Sequence, residues 1–145
     1  MPSLDNMMLR QIIMDHYENP RNHELVNDPQ YKSVNMDSET CIDNIDIQAH
    51  IEDGIIKDIR FDGEACAICT SSTSIMTELL IGRTIEEAKI IIENYMNMIF
   101  EKDYDPDILE EAIAFYNTHK QANRIKCATL GWKGISQLIE ESEKE

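Results

Sequence analysis

Basic residues are scarce in this chain. Lys and Arg number 13 against 28 Asp and Glu, a formal charge of −15 over 145 residues. A surface of that sign repels phosphate backbones and anionic lipid, so neither nucleic acid nor a membrane surface is an expected partner. A basic protein face or a metal cation suits it better, although an acid excess is also what an ordinary solvated surface carries. Long apolar runs are missing as well. No stretch approaches the about 20 residues needed to span a bilayer, and Asp5 and Asn6 stand where a signal peptide needs its apolar region. A cytoplasmic location is therefore expected. With only 5 glycines and 4 prolines, all scattered, and 42% hydrophobic residues, neither disorder nor low complexity is indicated. There is no internal repeat and no Gly-x-Ser-x-Gly elbow. One domain, residues 1–145, is expected, long enough to bury a core without disulfide staples.

The pattern of apolar residues lays out the elements. Ser3 can cap a first helix whose Leu4, Met8, Ile12 and Ile13 recur at helical spacing, and Glu18-Asn19-Pro20 ends it. His16 on that helix reads as a packing or surface residue rather than a ligand. After a turn-rich loop over 21–32 a strand begins near Tyr31. Residues 44–52 alternate strictly, with Ile45, Ile47, Ala49 and Ile51 against Asp46, Gln48 and His50, which predicts a half-buried strand with His50 exposed. Asp53-Gly54 predicts a hairpin turn and 55–61 the returning strand, an antiparallel meander of two or three strands. Beyond Gly63 the period becomes helical through Ile68, Ser72, Ile75, Met76 and Leu79 to Gly82. The small polar run 70–74 within it predicts close helix-to-sheet packing. Thr84 and Glu87 have the form of a capping box for a helix reaching about Phe100. Asp105-Pro106 opens another with Ile108, Leu109, Ala112, Ile113 and Tyr116 on its apolar face. After a loop over 117–123, Ala128, Trp132, Ile135 and Ile139 mark a last helix, with Cys127 in or just before its first turn and 140–145 as a solvated tail.

Four cysteines in a reducing compartment are expected as thiols or metal ligands rather than disulfides. Cys41, with Asp43 two residues on, precedes the long strand; Cys66 sits at a strand-to-helix turn; Cys127 is at a helix start. Helix starts favour the thiolate, the form that binds metal or attacks sulfur. Three thiolates and a carboxylate would suit tetrahedral zinc, or an iron-sulfur cluster with one harder ligand. Spacing alone leaves this beside a second reading, that some of these thiols are buried and inert. No second Cys-x-x-Cys pair closes a zinc ribbon.

Four motifs in order resemble the SufU branch of the IscU/NifU-like iron-sulfur cluster assembly family. They are the N-terminal run from Arg10 to Asp15-His16-Tyr17 and its Pro20-Arg21-Asn22 exit, Thr40-Cys41-Ile42-Asp43, Phe61-Asp62-Gly63-Glu64-Ala65-Cys66-Ala67-Ile68, and Arg124-Ile125-Lys126-Cys127-Ala128-Thr129-Leu130 with Trp132. The resemblance implies an α+β, IscU-like fold in which a small antiparallel sheet of about three strands packs against several helices on one side. It implies that Cys41, Asp43, Cys66 and Cys127 are metal ligands gathered at one end. The long segment between Cys66 and Cys127, and Lys126 where the IscU type has histidine, are similar to the SufU type. That implies bound zinc and sulfur transfer from a SufS-like, pyridoxal-phosphate cysteine desulfurase, with Cys41 as the acceptor thiol. The alternative is a scaffold that assembles an iron-sulfur cluster on the same residues and passes it to apo iron-sulfur proteins. Arg124 and Lys126 would offset the negative ligands or steer the partner. Where this chain departs from the family, Ile42 and Ala65 replace glycines and Cys69 replaces serine. A positive φ at Ala65 would be strained, and Cys69 would share a helical face with Cys66, within reach of metal or of a redox pairing; its plainer reading is a small buried residue.

Overall fold

The computed structural model of the chain describes residues 6–38 and 42–144; Ser3 and Cys41 lie outside them. Helix α1 (Asn6–Glu18) ends where expected, with the Asn19 N–H on the Asp15 carbonyl and Pro20 unable to continue the ladder. Strands β1 (Lys32–Asp37), β2 (Asn44–Glu52) and β3 (Ile55–Glu64) form an antiparallel sheet in that order. Val34 pairs with Ile47, and Ile47 with Phe61. The β2–β3 turn has Asp53 at φ 56° and Gly54 at φ 74°, the paired positive φ that matches the twist of a two-residue hairpin. The period-2 alternation buries Ile45, Ile47 and Ala49 on the face that the helices cover.

The opposite face is less open than the alternation predicts. The Gln48 amide accepts the Val26 N–H at 2.8 Å and donates to the Val26 carbonyl at 2.9 Å, which straps the 20–31 loop across the sheet. His50, expected to be exposed, is half-buried against the Tyr31 ring at 5.6 Å. β3 also runs on past Phe61 to Glu64, so one extended pair of residues separates it from the next helix.

That helix, α2 (Ala67–Leu80), is the centre of the molecule, with every residue from Cys69 to Thr77 buried. Its small polar run does not serve sheet packing as expected. Two of its hydroxyls go to other helices, Ser72 to the last helix and Ser74 to His16 of α1 at 2.8 Å, while Thr70 bonds back to the Ala65 carbonyl and the buried Thr73 Oγ1 has no hydrogen-bond partner among the described residues. Ser71 bonds back to the Ala67 carbonyl at 2.7 Å. A hydroxyl is short enough to let helices approach closely and can be satisfied at the interface, which sheet contacts alone would not do.

Helix α3 (Ile85–Ile99) starts with the expected capping box: the Glu87 N–H donates to Thr84 Oγ1 and the Thr84 N–H to Glu87 Oε1. The apolar stretch after Pro106 is not an α-helix. It is a series of 3-10 turns, Pro106–Ile108, Glu110–Phe115 and Thr118–Lys120, because Glu110 takes φ 47°, a conformation no α-helix passes through. Leu109, Ala112, Ile113, Ala114 and Phe115 are still buried, so the periodic apolar face survives the change of helix type.

Helix α4 (Ala122–Glu143) starts earlier than the polar loop expected over 117–123 allows and continues into the expected tail. It lies across β1 and β2 and along α2. Two glycines permit this. A Cβ on Gly131 would sit 2.4 Å from Thr73 Oγ1 on α2, and one on Gly134 would sit 2.9 Å from Ile47 of β2. No helix among the described residues is long and apolar enough to cross a membrane.

Gly131→Ala should therefore destabilise the fold. Overpacking of about 1–3 kcal/mol outweighs the ~1 kcal/mol that alanine gains over glycine in a helix. Adding Thr73→Ala deletes the two nearest atoms and should recover part of the loss, read as a coupling energy in a urea-denaturation double-mutant cycle.

Candidate metal centre

Three elements deliver donors to one point. Gly63 stands opposite Ile45 at φ 136°, and a Cβ there would lie 2.3 Å from the Asn44 carbonyl; its absence keeps the end of β3 against β2 right beside Asp43. The chain then leaves the sheet through Ala65, which does not take the positive φ that would strain alanine. Cys66 follows as the N-cap of α2, extended at φ −70° and ψ 171°, and its Sγ accepts the Cys69 N–H at 3.4 Å. The Asp43 carboxylate, fully buried, accepts the Cys66 N–H on Oδ1 at 2.7 Å. It thus sits at the positive end of α2 without having been designed there by any helix-capping spacing in the sequence.

Cys127 reaches the same place from α4, but in its second turn rather than its first. The expected thiolate-favouring helix start is therefore not its environment. Its S–H is directed to the Asn123 carbonyl at 3.7 Å, and burial, then the adjoining Asp43 and Cys66, push its thiol well above the usual range.

One donor atom each from Asp43, Cys66 and Cys127 lies within 4.8 Å of the others. Cys66 Sγ is 3.8 Å from Asp43 Oδ2. Sulfur and oxygen ligands on tetrahedral zinc stand about 3.5–3.8 Å apart, given bonds of ~2.3 and ~2.0 Å. The donor set fits zinc in kind, and the Cys66–Asp43 pair fits it in spacing. Two thiols and a carboxylate in contact repel one another when ionised, and a cation among them removes that repulsion while fixing the ionised form.

Cys41 lies outside the described residues, two positions before Asp43. Ile42 between them is 66% exposed. Cys69 is fully buried and is not in the donor group; its N–H bonds Cys66 Sγ while its side chain packs in the core, as a small residue in a serine niche would. Arg124 and Lys126 are exposed in the first turns of α4.

His16, read as a packing residue, is one, with an ionic side. It is fully buried, with Nδ1 at 2.8 Å from Ser74 Oγ and Nε2 at 3.3 Å from Glu111 and 3.7 Å from Glu78. Ser74 Oγ also accepts the Arg21 N–H, which ties the exit of α1 to α2. Sequence reasoning missed this group because His16 stands 58 or more residues from Ser74, Glu78 and Glu111; the serine facing out of an apolar stripe at 74 was the available signal.

The family model of the NifU-like N terminal domain matches residues 8–143. The chain belongs to this family. Among curated members, the zinc-dependent sulfurtransferase SufU of Bacillus subtilis (strain 168) is 38% identical over 137 residues, covering 94% of this chain and 92% of that one. The iron-sulfur cluster assembly scaffold protein IscU of Streptococcus pyogenes serotype M1 is 30% identical over 138 residues, 94% of this chain and 86% of that one. The crystal structure of FiSufU, a SUF-system protein of Fervidobacterium islandicum AW-1, superposes with a TM-score of 0.79 at 30% identity over 87% of this chain and 92% of that one. The family fold, a small antiparallel sheet with helices against it, is the fold described above.

The two neighbouring thiols differ in access. In folded, metal-stripped protein iodoacetamide should label Cys66, which is partly exposed, and spare Cys69 until denaturant is added, as read by peptide mass spectrometry.

Proposed function

We propose that this protein is a zinc-bound sulfur acceptor in iron-sulfur cluster assembly, taking persulfide sulfur from a cysteine desulfurase. The observation that carries this reading is the convergence of Asp43, Cys66 and Cys127 donors within 4.8 Å, in a chain 38% identical to a zinc-dependent sulfurtransferase. Cys41 supplies the fourth ligand. When bound, zinc keeps the thiols deprotonated at neutral pH while blunting their nucleophilicity.

The residues divide the work. Cys127 is buried and held inside a helix, and Cys66 is fixed as a cap; both are stationary ligands. Asp43 holds the start of α2 through the Cys66 N–H and offers its other oxygen to the site. Cys41 is the transferring thiol. Its thiolate attacks the outer sulfur of the desulfurase persulfide; a new S–S bond forms on Cys41, the bond to the desulfurase cysteine breaks, and that cysteine leaves as a thiolate. No electrons are exchanged with any third party. Arg124 and Lys126 give this strongly acidic chain a basic point beside the site for steering the partner.

Replacing Cys41 with serine should abolish the protein's stimulation of desulfurase turnover; unchanged stimulation overturns the role. A second reading rests on the IscU relative: a scaffold for cluster assembly, delivering to apo iron-sulfur proteins. Anaerobic reconstitution with iron and sulfide separates the two, since a scaffold yields a visible chromophore that transfers to an apo-acceptor and a zinc sulfurtransferase retains zinc instead. Cys127→Ser should lower the zinc content of protein purified without added metal by at least about tenfold, measured by plasma mass spectrometry, because loss of one ligand of four leaves a buried, incomplete site.

A further inference from the structure

The helices that carry Cys66 and Cys127 are joined by a buried polar group that the metal chemistry does not use. The Ser72 hydroxyl of α2 donates to the Ala128 carbonyl of α4 at 2.6 Å. The Tyr95 hydroxyl of α3 donates to the same carbonyl at 2.8 Å and lies 3.1 Å from Ser72 Oγ. Trp132 Nε1–H, one turn further along α4, donates to Ser72 Oγ at 3.0 Å. The Tyr95 and Trp132 rings are stacked at 3.8 Å and 6°. Ser72, Tyr95, Ala128 and Trp132 are all buried to within 1%.

Ala128 directly follows Cys127, and Ser72 stands about 9 Å along α2 from Cys66 at 1.5 Å per residue. The group therefore fixes how far α4 slides or turns against α2, directly beside Cys127. Helices are stiff, so a slip at Ala128 passes undiminished to the sulfur one residue away. Zinc–ligand bonds in a well-formed site keep to within about 0.2 Å of their standard lengths. Burial holds the Tyr95 hydroxyl far above the usual range, so it stays a donor at any working pH.

We infer that Ser72, Tyr95 and Trp132 are positioning residues that set the separation of the Cys66 and Cys127 sulfurs through the Ala128 carbonyl. The inference rests on the metal-centre reading. They touch neither donor atom; they act through the helix that bears Cys127. A hydroxyl clamp adds to the packing, since directional hydrogen bonds tie one carbonyl of α4 to defined atoms of α2 and α3.

The test uses cobalt(II), whose thiolate charge-transfer and d–d bands report tetrahedral geometry, loaded into the full-length protein after zinc removal. Wild type should show both sets of bands. If it shows none, the metal-centre reading falls and the clamp with it. Ser72→Ala should keep the far-UV circular dichroism, shift the d–d bands and release cobalt to a chelator about tenfold more readily, the effect expected when support behind a ligand is removed. Ile139→Val, which trims the buried face of α4 remote from Ala128, should lower the melting temperature and leave the bands unchanged. If Ser72→Ala melts earlier yet keeps wild-type bands and cobalt retention, or if Ile139→Val alters the bands as much, the clamp is only structural and the inference is overturned. Should Ser72→Ala fail to fold, Tyr95→Phe, which keeps the stacked ring and deletes the hydroxyl, decides by the same readouts.

Discussion

Two sulfurs reach one point in this protein because α2 and α4 lie in contact along their length. A helix as polar as α2 is buried at such a contact at little cost where its hydroxyls find partners, since an unsatisfied buried polar group costs roughly 1–3 kcal/mol, a cost that among the described residues falls on Thr73 Oγ1 opposite Gly131. Ser72 and Ser74 meet that condition through α3, α4 and α1, and Gly131 removes the side chain that would hold the helices apart. The packing of the core and the geometry of the donors are therefore one problem. The sheet contributes a floor for α4 and, through Gly63, the tight return that brings Asp43 beside Cys66.

Much of this was legible from residue order. Strict alternation over 44–52 specified β2 to the residue, since a period of two leaves no freedom once one face is buried. The Asp53-Gly54 turn and the Thr84–Glu87 box are local devices whose chemistry is complete within a few residues, and both appear as read. The stretch after Pro106 was misread because apolar period cannot tell an α-helix from successive 3-10 turns, and nothing about glutamate at 110 announces a left-handed backbone. Cys127 was placed a turn early because Gln121 caps α4 without a side-chain signal.

The site was legible differently. Asp43, Cys66 and Cys127 were singled out by chemistry and by family resemblance, and they do converge. What residue order could not supply was the interaction between them. The hydrogen bond from the Cys66 N–H to Asp43, and the clamp on Ala128, join positions 23 and 56 residues apart, and such pairs carry no periodic trace. The rise of the Cys127 thiol is likewise a product of burial beside two acidic neighbours, invisible until three elements are assembled. The acid excess of the chain, by contrast, is visible at once and says little about the site, to which it contributes through Asp43 alone.

Cys66 performs two tasks with one atom. Its sulfur receives the Cys69 N–H that begins α2 and faces the other donors. Drawing that sulfur outward for exchange with a visiting persulfide would uncap the central helix and strand a backbone donor in the core. Ligand and keystone coincide, so turnover at Cys66 is discouraged by the architecture itself.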